Sequence, residues 1–551
     1  MKSRGGILKA FAMIKNRIPA LVLMTVANSA VAVLSVFFAL GSRNIIDVAV
    51  SGQWDGFKKA CAMQFALIVS ILFSLFLFRY LRERLSSEID RDLKKIFLNS
   101  AINSEYNKTS EYHSGELINR VSNDIRILIE GFFATIPGLF SMVIKIVFAF
   151  FALWKIQRQF AYFVLVSGVF VVILTAAMRY SLKTLHKKVS KADGAVTSFL
   201  QEIFEKLLIV QAMGAEDEIE KRADGLLKDR FDLQMKRKNF SLVANISINS
   251  LSYIGSFAAL VWCAAGILNG MTTFGELTAV IQLMAQIQNP VANITGVIPQ
   301  YVAMVAAWER LDEIFTLDRK KETGDVDALI AYDEMQSICC RDLTFTYDRD
   351  VVFDKAAFEV KKGSFVTIKG SSGIGKSTLL KLMLGIYKPE DGKFFLKKQD
   401  GEIAVDNLQK GIFCYVPQGN LLLSGTIKDN LLLSHPQADE QMLKKAIYVS
   451  CMDEYLPGLP DGLDTVLTEN SGGLSEGQAQ RIAIARAVLS GAPILLMDEI
   501  TSALDVETER KVLQRIKSLD NVTCFIVTHR PVPEEYCDVT LEIENGKIIM
   551  K

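Results

Sequence analysis

The sequence carries almost no net charge, since 62 Lys and Arg residues are balanced by 61 Asp and Glu residues over 551 positions. A chain without a charge excess has no general electrostatic attraction to nucleic acid, and we expect no nucleic-acid partner. A cleavable leader is also missing, because the apolar run after the basic N-terminus is long and no small-residue cleavage site is obvious. The first apolar run is therefore expected to remain as a membrane span.

The eight cysteines lack the spacing of a metal site. Cys339 and Cys340 are adjacent, and neighbouring cysteines rarely form a disulfide with each other. Most of the eight lie in the C-terminal part of the chain, which has the composition of a soluble domain. We therefore expect reduced thiols in a cytosolic environment.

Long uncharged runs are abundant, and they are concentrated in about the first 300 residues of a chain too long for one ordinary domain. Six runs have the length that a bilayer requires. These predicted spans are 18–41, 60–78, 131–154, 160–178, 243–269 and 277–304. The predicted domains are an amphipathic elbow at 1–17 on the cytoplasmic surface, a transmembrane domain at 18–310, a linker at 311–334 and a nucleotide-binding domain at 335–551.

The charged segments between the spans predict the topology. Segment 79–130 contains nine Lys or Arg residues and segment 179–238 contains thirteen, whereas the short segments near 155–158 and 268–276 contain two and none. Since basic residues favour the cytoplasmic side, we place both long segments and both termini in the cytoplasm. Breaks at 110–117 and 209–216 predict short elements on which another domain can dock, and a solvated charged hairpin is the alternative.

Polar residues inside two predicted spans are candidates for contact with a transported substrate. Lys145 lies in the third span, where a charge is expensive; it either has a function or snorkels and pairs with a neighbouring helix. In the sixth span, polar residues recur on one helix face. These are Gln282, Gln286, Asn289, Asn293 and Gln300. The stripe either lines a translocation cavity or forms hydrogen bonds between helices.

The stretch 370–377 matches the phosphate-binding pattern G-x-x-x-x-G-K-[ST]. A predicted strand precedes it and a predicted helix follows it, which is the context that this loop requires. Backbone N–H groups and the start of the helix would bind phosphate oxygens. Lys376 would reach the β and γ phosphates, and Ser377 would ligate Mg²⁺.

Three further segments complete the predicted nucleotide site. Tyr347 can stack on a purine, or it is a surface tyrosine of a strand. The apolar strand 493–497 ends in Asp498, a predicted ligand of Mg²⁺, and Glu499, which is placed to polarise the attacking water. A second apolar strand ends in His529, a candidate contact of the γ-phosphate that also holds Glu499.

The residues at 474–478 and the helix after them resemble the signature motif of ABC transporters. Gln418 resembles that family's Q-loop, residues 502–505 its D-loop, and Tyr347 and His529 its A-loop aromatic and switch histidine. The stretches 115–124 and 211–216 are similar to coupling regions of exporters. The resemblance implies a multi-domain fold, with an all-α six-helix transmembrane domain that has long cytoplasmic extensions and an α/β P-loop ATPase domain.

The resemblance also implies the roles of the site residues. Catalysis would fall to Glu499 and His529. ATP would contact Tyr347, Gly370, Ser371, Ser372, Gly373, Ile374, Gly375, Lys376, Ser377, Thr378 and Gln418. Mg²⁺ would be held by Ser377, Gln418 and Asp498. The signature residues Leu474, Ser475, Glu476, Gly477 and Gln478 would complete the site of a partner chain, beside the D-loop residues Ser502, Ala503, Leu504 and Asp505.

Such a chain would be a half-transporter in a bacterial plasma membrane that pairs with a second half-transporter and moves an unidentified substrate, with export as the expected direction. An ATP-driven lipid flippase and an importer that shares the exporter fold are the alternatives. One residue departs from the pattern: Glu476 stands where the family usually has Gly, and it brings a negative charge near a triphosphate. A homodimer and a heterodimer both remain open.

Overall fold

The computed structural model describes residues 17–317, 324, 326–347, 350–409, 411–419, 422–467 and 473–551. At 167, 169–180, 182–183, 248, 291–296 and 298 it describes the helical backbone but not the side chains. Apart from Arg17, the elbow predicted at 1–17 lies outside the described residues, as does part of the predicted linker. The described residues form two compact units. The first contains the residues up to Ile102 and Tyr112–Leu317, and the second contains Asn103–Glu111 and the residues after Leu317.

The first unit is entirely helical. The α-helices between residues 18 and 315 are, in chain order, α1 (Ile18–Val50), α2 (Trp54–Asn103), α3 (Tyr106–Ser110), α4 (Ser114–Asn119), α5 (Ile125–Ile156), α6 (Arg158–Glu205), α7 (Leu207–Met213), α8 (Glu216–Leu268) and α9 (Phe274–Phe315). All of them belong to the first unit except α3, which belongs to the second. With 50, 48 and 53 residues, α2, α6 and α8 are each about 75 Å long. They exceed the roughly 30 Å core of a bilayer, as the predicted cytoplasmic extensions require.

Four helices among the described residues are long and apolar enough to cross a membrane. They are α1, α2, the helical stretch that ends with α5, and α8, and they contain four of the predicted spans. The other two predicted spans, 160–178 and 277–304, lie within the single helices α6 and α9. Those two spans remain predictions.

Both predicted helix breaks are present, although the first begins earlier than the sequence suggested. Helix α2 already ends at Asn103, and the two short helices α3 and α4 follow it. The second break contains α7, which ends at Gly214 in the left-handed conformation (φ 59°) before α8 begins. Glycine adopts that conformation without steric strain, so the chain can reverse direction there.

A buried charge network joins the start of α5 to the end of α9 within the first unit. Arg120 lies in a π-helical turn, Arg120–Asp124, and only 6% of its side chain is exposed. Its guanidinium donates to Glu116 and Glu313, and Arg310 makes two hydrogen bonds with the fully buried carboxylate of Asp124. Because each buried charge has a partner, the ion pairs offset the free-energy cost of removing these charges from water.

The second unit combines three sheets with short helices. Its strands are β1 (Ser337–Tyr347), β2 (Asp350–Lys361), β3 (Phe365–Lys369), β4 (Asp391–Lys398), β5 (Gly401–Ala404), β6 (Phe413–Val416), β7 (Gly425–Thr426), β8 (Val466–Leu467), β9 (Ile494–Asp498), β10 (Thr523–Val527), β11 (Val539–Glu544) and β12 (Lys547–Met550). Its helices after α9 are α10 (Ala328–Asp333), α11 (Lys376–Met383), α12 (Ile427–Leu432), α13 (Glu440–Val449), α14 (Glu476–Leu489), α15 (Val506–Lys517) and α16 (Val532–Tyr536).

The central sheet has the order β12-β11-β3-β10-β9-β6, and all its pairs are parallel except β11 with β12. A second, antiparallel sheet has the order β2-β1-β4-β5. The strands β3, β9 and β10 are almost completely buried, as expected for a parallel sheet covered on both faces. Since parallel strands end at the same edge, the residues that follow β3, β6, β9 and β10 meet there.

Candidate nucleotide-binding site

The predicted phosphate loop connects β3 to α11. Gly370, Gly373 and Gly375 have φ values of 150°, 79° and 113°. A Cβ atom at Gly375 would lie 2.4 Å from Val352, so both the backbone angle and the available space require glycine there. Lys376 is only 6% exposed, and its ammonium donates to the carbonyl oxygens of Gly370 and Ser371 at 3.1 and 3.0 Å. The loop therefore has the shape of a phosphate cradle.

Helix α11 begins directly after the loop, at Lys376. Ser377 and Thr378 lie in its first turn, where the unpaired N–H groups of the helix collect. Ser372 and Ile374 lie in the loop itself, and Ile374 packs against the core of the unit. All predicted phosphate-loop residues thus occupy one loop and one helix start.

Asp498 is the last residue of β9 and is only 2% exposed. Its Oδ2 atom accepts a hydrogen bond of 3.0 Å from the Tyr415 hydroxyl. Its Oδ1 atom is buried and has no hydrogen-bond partner among the described residues. A buried carboxylate oxygen that lacks a partner is costly unless a cation or donor binds it.

Glu499 follows Asp498 in a left-handed conformation with φ 51°, which is unusual for a residue other than glycine. Its backbone N–H donates to the carbonyl oxygen of Val527 at 3.0 Å, which fixes this conformation against β10. Gln418 Nε2 donates to Glu499 Oε2 at 2.6 Å, and His529 Nε2 lies 3.6 Å from Glu499 Oε1. The structure therefore groups the predicted catalytic residues Glu499 and His529 with the predicted Q-loop residue Gln418.

Tyr347 lies at the end of β1 with 53% of its surface exposed. Its ring contacts the Tyr387 ring edge-on at 6.1 Å, and Tyr387 in turn stacks on Phe345 at 5.7 Å. The ring of Tyr347 is thus supported from below and open to solvent, which is the arrangement that stacking on a purine needs.

The predicted signature residues lie at the start of α14. Ser475 caps this helix, and its side chain and that of Gln478 each bind the other's backbone N–H group. Glu476 is exposed in the first turn, where the helix dipole favours an acid. Gly477 allows the start of α14 to lie close to the D-loop, because a Cβ atom there would be only 2.9 Å from the carbonyl oxygen of Ala503. Leu474 is half-buried directly before the cap.

The D-loop is fixed by two residues that the sequence analysis did not identify. Gln480, which is buried in α14, binds Ser502 and the backbone N–H of Ala503 at 3.2 and 3.1 Å. Arg530 donates to the carbonyl oxygens of Thr501 and Leu504 and to the buried Glu509. Two features of the sequence could have identified these residues: Gln480 is a polar residue in the alanine-rich stretch 479–487, and Arg530 directly follows His529.

Asp505 ends the D-loop and caps α15. Its carboxylate accepts a hydrogen bond of 2.9 Å from the Thr508 N–H, and this bond lowers the pKa of Asp505. A deprotonated cap stabilises the helix start at neutral pH.

The membrane candidates have different environments. Lys145 is half-buried in α5 and forms no hydrogen bond or ion pair with the described residues. Gln286 bonds to α1: its Nε2 donates to the carbonyl oxygen of Ser35 at 2.7 Å, and its Oε1 accepts from the Ser35 hydroxyl at 3.2 Å. Gln282 is half-buried, Asn289 is exposed, and the side chain of Asn293 lies outside the described residues.

Comparison with known proteins identifies the family from both halves of the chain. The ABC transporter transmembrane region matches residues 21–291, and the ABC transporter domain matches residues 353–502. This chain is an ABC transporter. Its membrane and ATPase domains are fused in one polypeptide, and it therefore couples ATP hydrolysis to transport across a membrane.

Relatives of this ABC transporter are bacterial. The ATP-dependent lipid A-core flippase of Vibrio cholerae is 29% identical over 67% of this chain and 63% of its own length. A putative export ATP-binding/permease protein of Rickettsia conorii is 26% identical over 96% of this chain and 91% of its own length. The solved structure of a bacterial Atm1-family ABC exporter with ATP bound has the same fold, with a TM-score of 0.80 and 22% identity over 98% of this chain and 95% of that one.

The ATPase site of the transporter fits a magnesium ion. The partnerless Oδ1 atom of Asp498 is a hard oxygen ligand, and Ser377 would supply a hydroxyl from the start of α11. Gln418 already uses its amide nitrogen on Glu499, so only its carbonyl oxygen is available to a metal. A bound Mg²⁺ would neutralise charge on the phosphates, while Glu499 would be placed to polarise the attacking water and Lys376 to bind the phosphates.

Proposed function

We propose that this chain is one half of a dimeric, ATP-driven exporter in a bacterial plasma membrane, with both termini in the cytoplasm. The observation that carries this proposal is the exposed apolar face of α7, in which Leu208 and Met213 are 79% and 76% exposed. Apolar side chains at the cytoplasmic end of a long helix pair have no lipid to enter. The nucleotide domain of a second half-transporter is the partner that the family resemblance implies for this face.

Each ATP in this proposal is bound by the phosphate loop of one chain and the signature of the other. Support comes from the exposed position of Ser475 and Glu476 at the start of α14, where they are available to a partner. The group formed by Glu499, Gln418 and His529 supports hydrolysis on this chain's own phosphate loop. We therefore propose that two copies of this chain form a working homodimer.

The decisive experiment measures ATP hydrolysis by the chain expressed alone in lipid nanodiscs, beside Glu499→Gln. A homodimer predicts vanadate-sensitive turnover in the wild type and its loss in the variant, by about a thousandfold if Glu499 orients the water. The variant should still bind ATP, because its shape and its bond to Gln418 are preserved. A folded wild type that binds ATP without turnover would contradict the homodimer and point to a different partner chain.

A lipid flippase is the second candidate, and relatives that are named lipid A-core flippases favour it. In either case we propose that Lys145, Gln282 and Asn289 face the substrate, with Lys145 favouring an anionic or amphipathic one, whereas Gln286 joins two helices through Ser35. ATP-dependent uptake of a soluble dye into inside-out vesicles would support the exporter, whereas movement of a labelled lipid between leaflets without such uptake would support the flippase. Transport unaffected by Lys145→Ala and Asn289→Ala would contradict the cavity assignment.

A further inference from the structure

The buried carboxylate of Asp498 has two oxygen atoms in different environments. Oδ2 accepts a hydrogen bond from Tyr415, whereas Oδ1 has no partner among the described residues. A carboxylate can rotate about its last bond, so without a fixed contact its two oxygens are interchangeable. The hydrogen bond to Tyr415 removes that freedom.

Tyr415 is held by the sheet rather than by a loop. It lies in β6, which runs parallel to β9, and it is paired with Leu496, two residues before Asp498. Its hydroxyl therefore reaches forward along the neighbouring strand to the strand end at 3.0 Å. A tyrosine hydroxyl keeps its proton at neutral pH, and Tyr415 therefore acts as the donor to the Asp498 carboxylate.

The hydrogen bond between Tyr415 and Asp498 is partly shielded from solvent. Tyr415 is half-buried, and Asp498 is only 2% exposed. Few water molecules can therefore compete with the tyrosine hydroxyl for the carboxylate.

We propose that Tyr415 is a positioning residue of the ATPase: its hydroxyl binds one oxygen of Asp498 and thereby directs the other toward the metal ion of ATP·Mg²⁺. The inference rests on the proposed role of Asp498 as a metal ligand. Residues that orient a metal ligand in this way contribute about 10- to 100-fold to metal affinity. Tyr415 itself touches neither the metal nor the nucleotide in this proposal.

The test compares Tyr415→Phe with the wild type as full-length chains in nanodiscs. Phe preserves the ring and removes only the hydroxyl. Mn²⁺ replaces Mg²⁺, and free Mn²⁺ is measured by electron paramagnetic resonance in the presence of ATP. We expect Mn²⁺ to bind about tenfold more weakly to the variant, whereas ATP binding without metal is unchanged. The Mg²⁺ concentration that gives half-maximal ATPase activity should rise in parallel.

Two controls separate the possible failures. Tyr332→Phe removes another buried tyrosine hydroxyl of the same unit, which binds Thr523 at 2.9 Å, and it should leave Mn²⁺ binding unchanged. Asp498→Asn tests the proposed metal ligand itself, and wild-type Mn²⁺ binding by that variant would refute the metal-site assignment. If Asp498→Asn loses Mn²⁺ but Tyr415→Phe binds it normally, the inference about Tyr415 is wrong. If Tyr415→Phe loses both Mn²⁺ binding and metal-free ATP binding, the role of Tyr415 is structural, and the inference is also wrong.

A second variant tests whether the hydrogen-bond donor at position 415 is what matters. Tyr415→His returns a ring N–H donor to the same strand position. We expect its Mn²⁺ affinity to lie between those of the wild type and Tyr415→Phe. Equal loss in both variants would contradict a role that depends on donating a hydrogen bond.

Discussion

The two breaks in the long helices have opposite surroundings. The first contains α3, which groups with the nucleotide-binding unit and is tied to it by the ion pair between Glu105 and Lys388. The second contains α7, where Leu208, Ile209 and Met213 are mostly exposed. Similar interruptions of a helix thus lead to one element whose partner is in the same chain and one whose apolar surface remains open. We therefore expect that α3 needs no partner chain, whereas the exposed apolar surface of α7 is covered only in the proposed dimer.

The largest effect is expected from the charge network that anchors the chain after the first break. Arg310→Met would leave the buried carboxylate of Asp124 without its partner, and we expect a loss of about 3–5 kcal/mol of unfolding free energy. Thermal melting in nanodiscs measures it. Arg84→Met is the matched control, because Arg84 forms an exposed pair with Glu88 and its loss should leave the melting temperature almost unchanged. Equal shifts of the melting temperature in both variants would show that the stabilisation by these ion pairs does not depend on their burial.

The next largest effect concerns the open face of α7. The double variant Leu208→Asp, Met213→Asp should lower ATPase activity at least about tenfold if a partner chain covers this face, because buried charges would be left unpaired in the interface. Its melting temperature should stay near that of the wild type, since both side chains are exposed. Leu208→Met, Met213→Leu keeps the apolar surface and serves as control. Normal ATPase activity of the Asp variant would contradict the proposal that a partner chain covers α7.

The smallest effect is expected at the docking pair of α3. Lys388→Glu places two acids side by side, but the Lys388 side chain is 60% exposed, so the cost is about 1 kcal/mol or less. We expect a few-fold change in ATPase activity that the exchange Lys388→Glu, Glu105→Lys restores. Failure of the exchange to restore activity would show that the pair is not what holds α3.

Hydrogen exchange sharpens the same comparison without any substitution. Helix α3 contains no buried residue, but it directly follows the buried Ser104 and the ion-paired Glu105, whereas six of the seven residues of α7 are exposed. We expect α7 to exchange faster than α3 in the isolated chain and to become protected when ATP and vanadate trap the dimer. Faster exchange of α3 than of α7 would contradict the assignment of α3 to the nucleotide-binding unit.

The nucleotide site was largely predictable because its motifs encode local geometry. Strand, glycine-rich loop and helix follow one another at 365–383, and parallel pairing brings Asp498 and His529 to the same sheet edge without further information. Contacts between distant side chains were not predictable in this way. The bond from Tyr415 to Asp498 and those from Arg530 to the D-loop depend on which strands are neighbours and how far each side chain reaches.

The membrane half was less predictable because hydropathy reports length and not partners. The end of α2 at Asn103 precedes the predicted break, although Asn103 and Ser104 are residue types that favour helix ends. The face of α9 that carries Gln286 was recognised as polar, but only the structure pairs that residue with Ser35. A period of 3.6 residues identifies a helix face without naming the neighbour that covers it.

The left-handed backbone at Glu499 limits how its chemistry can be studied. A β-branched residue is strained at φ 51°, so Glu499→Val or Glu499→Thr would shift the strand end as well as remove a carboxylate. Such variants would disturb Asp498 and the D-loop together, and their inactivity would say little about proton transfer. Unbranched replacements such as Gln leave the backbone in place, and only with these does lost turnover measure the carboxylate itself.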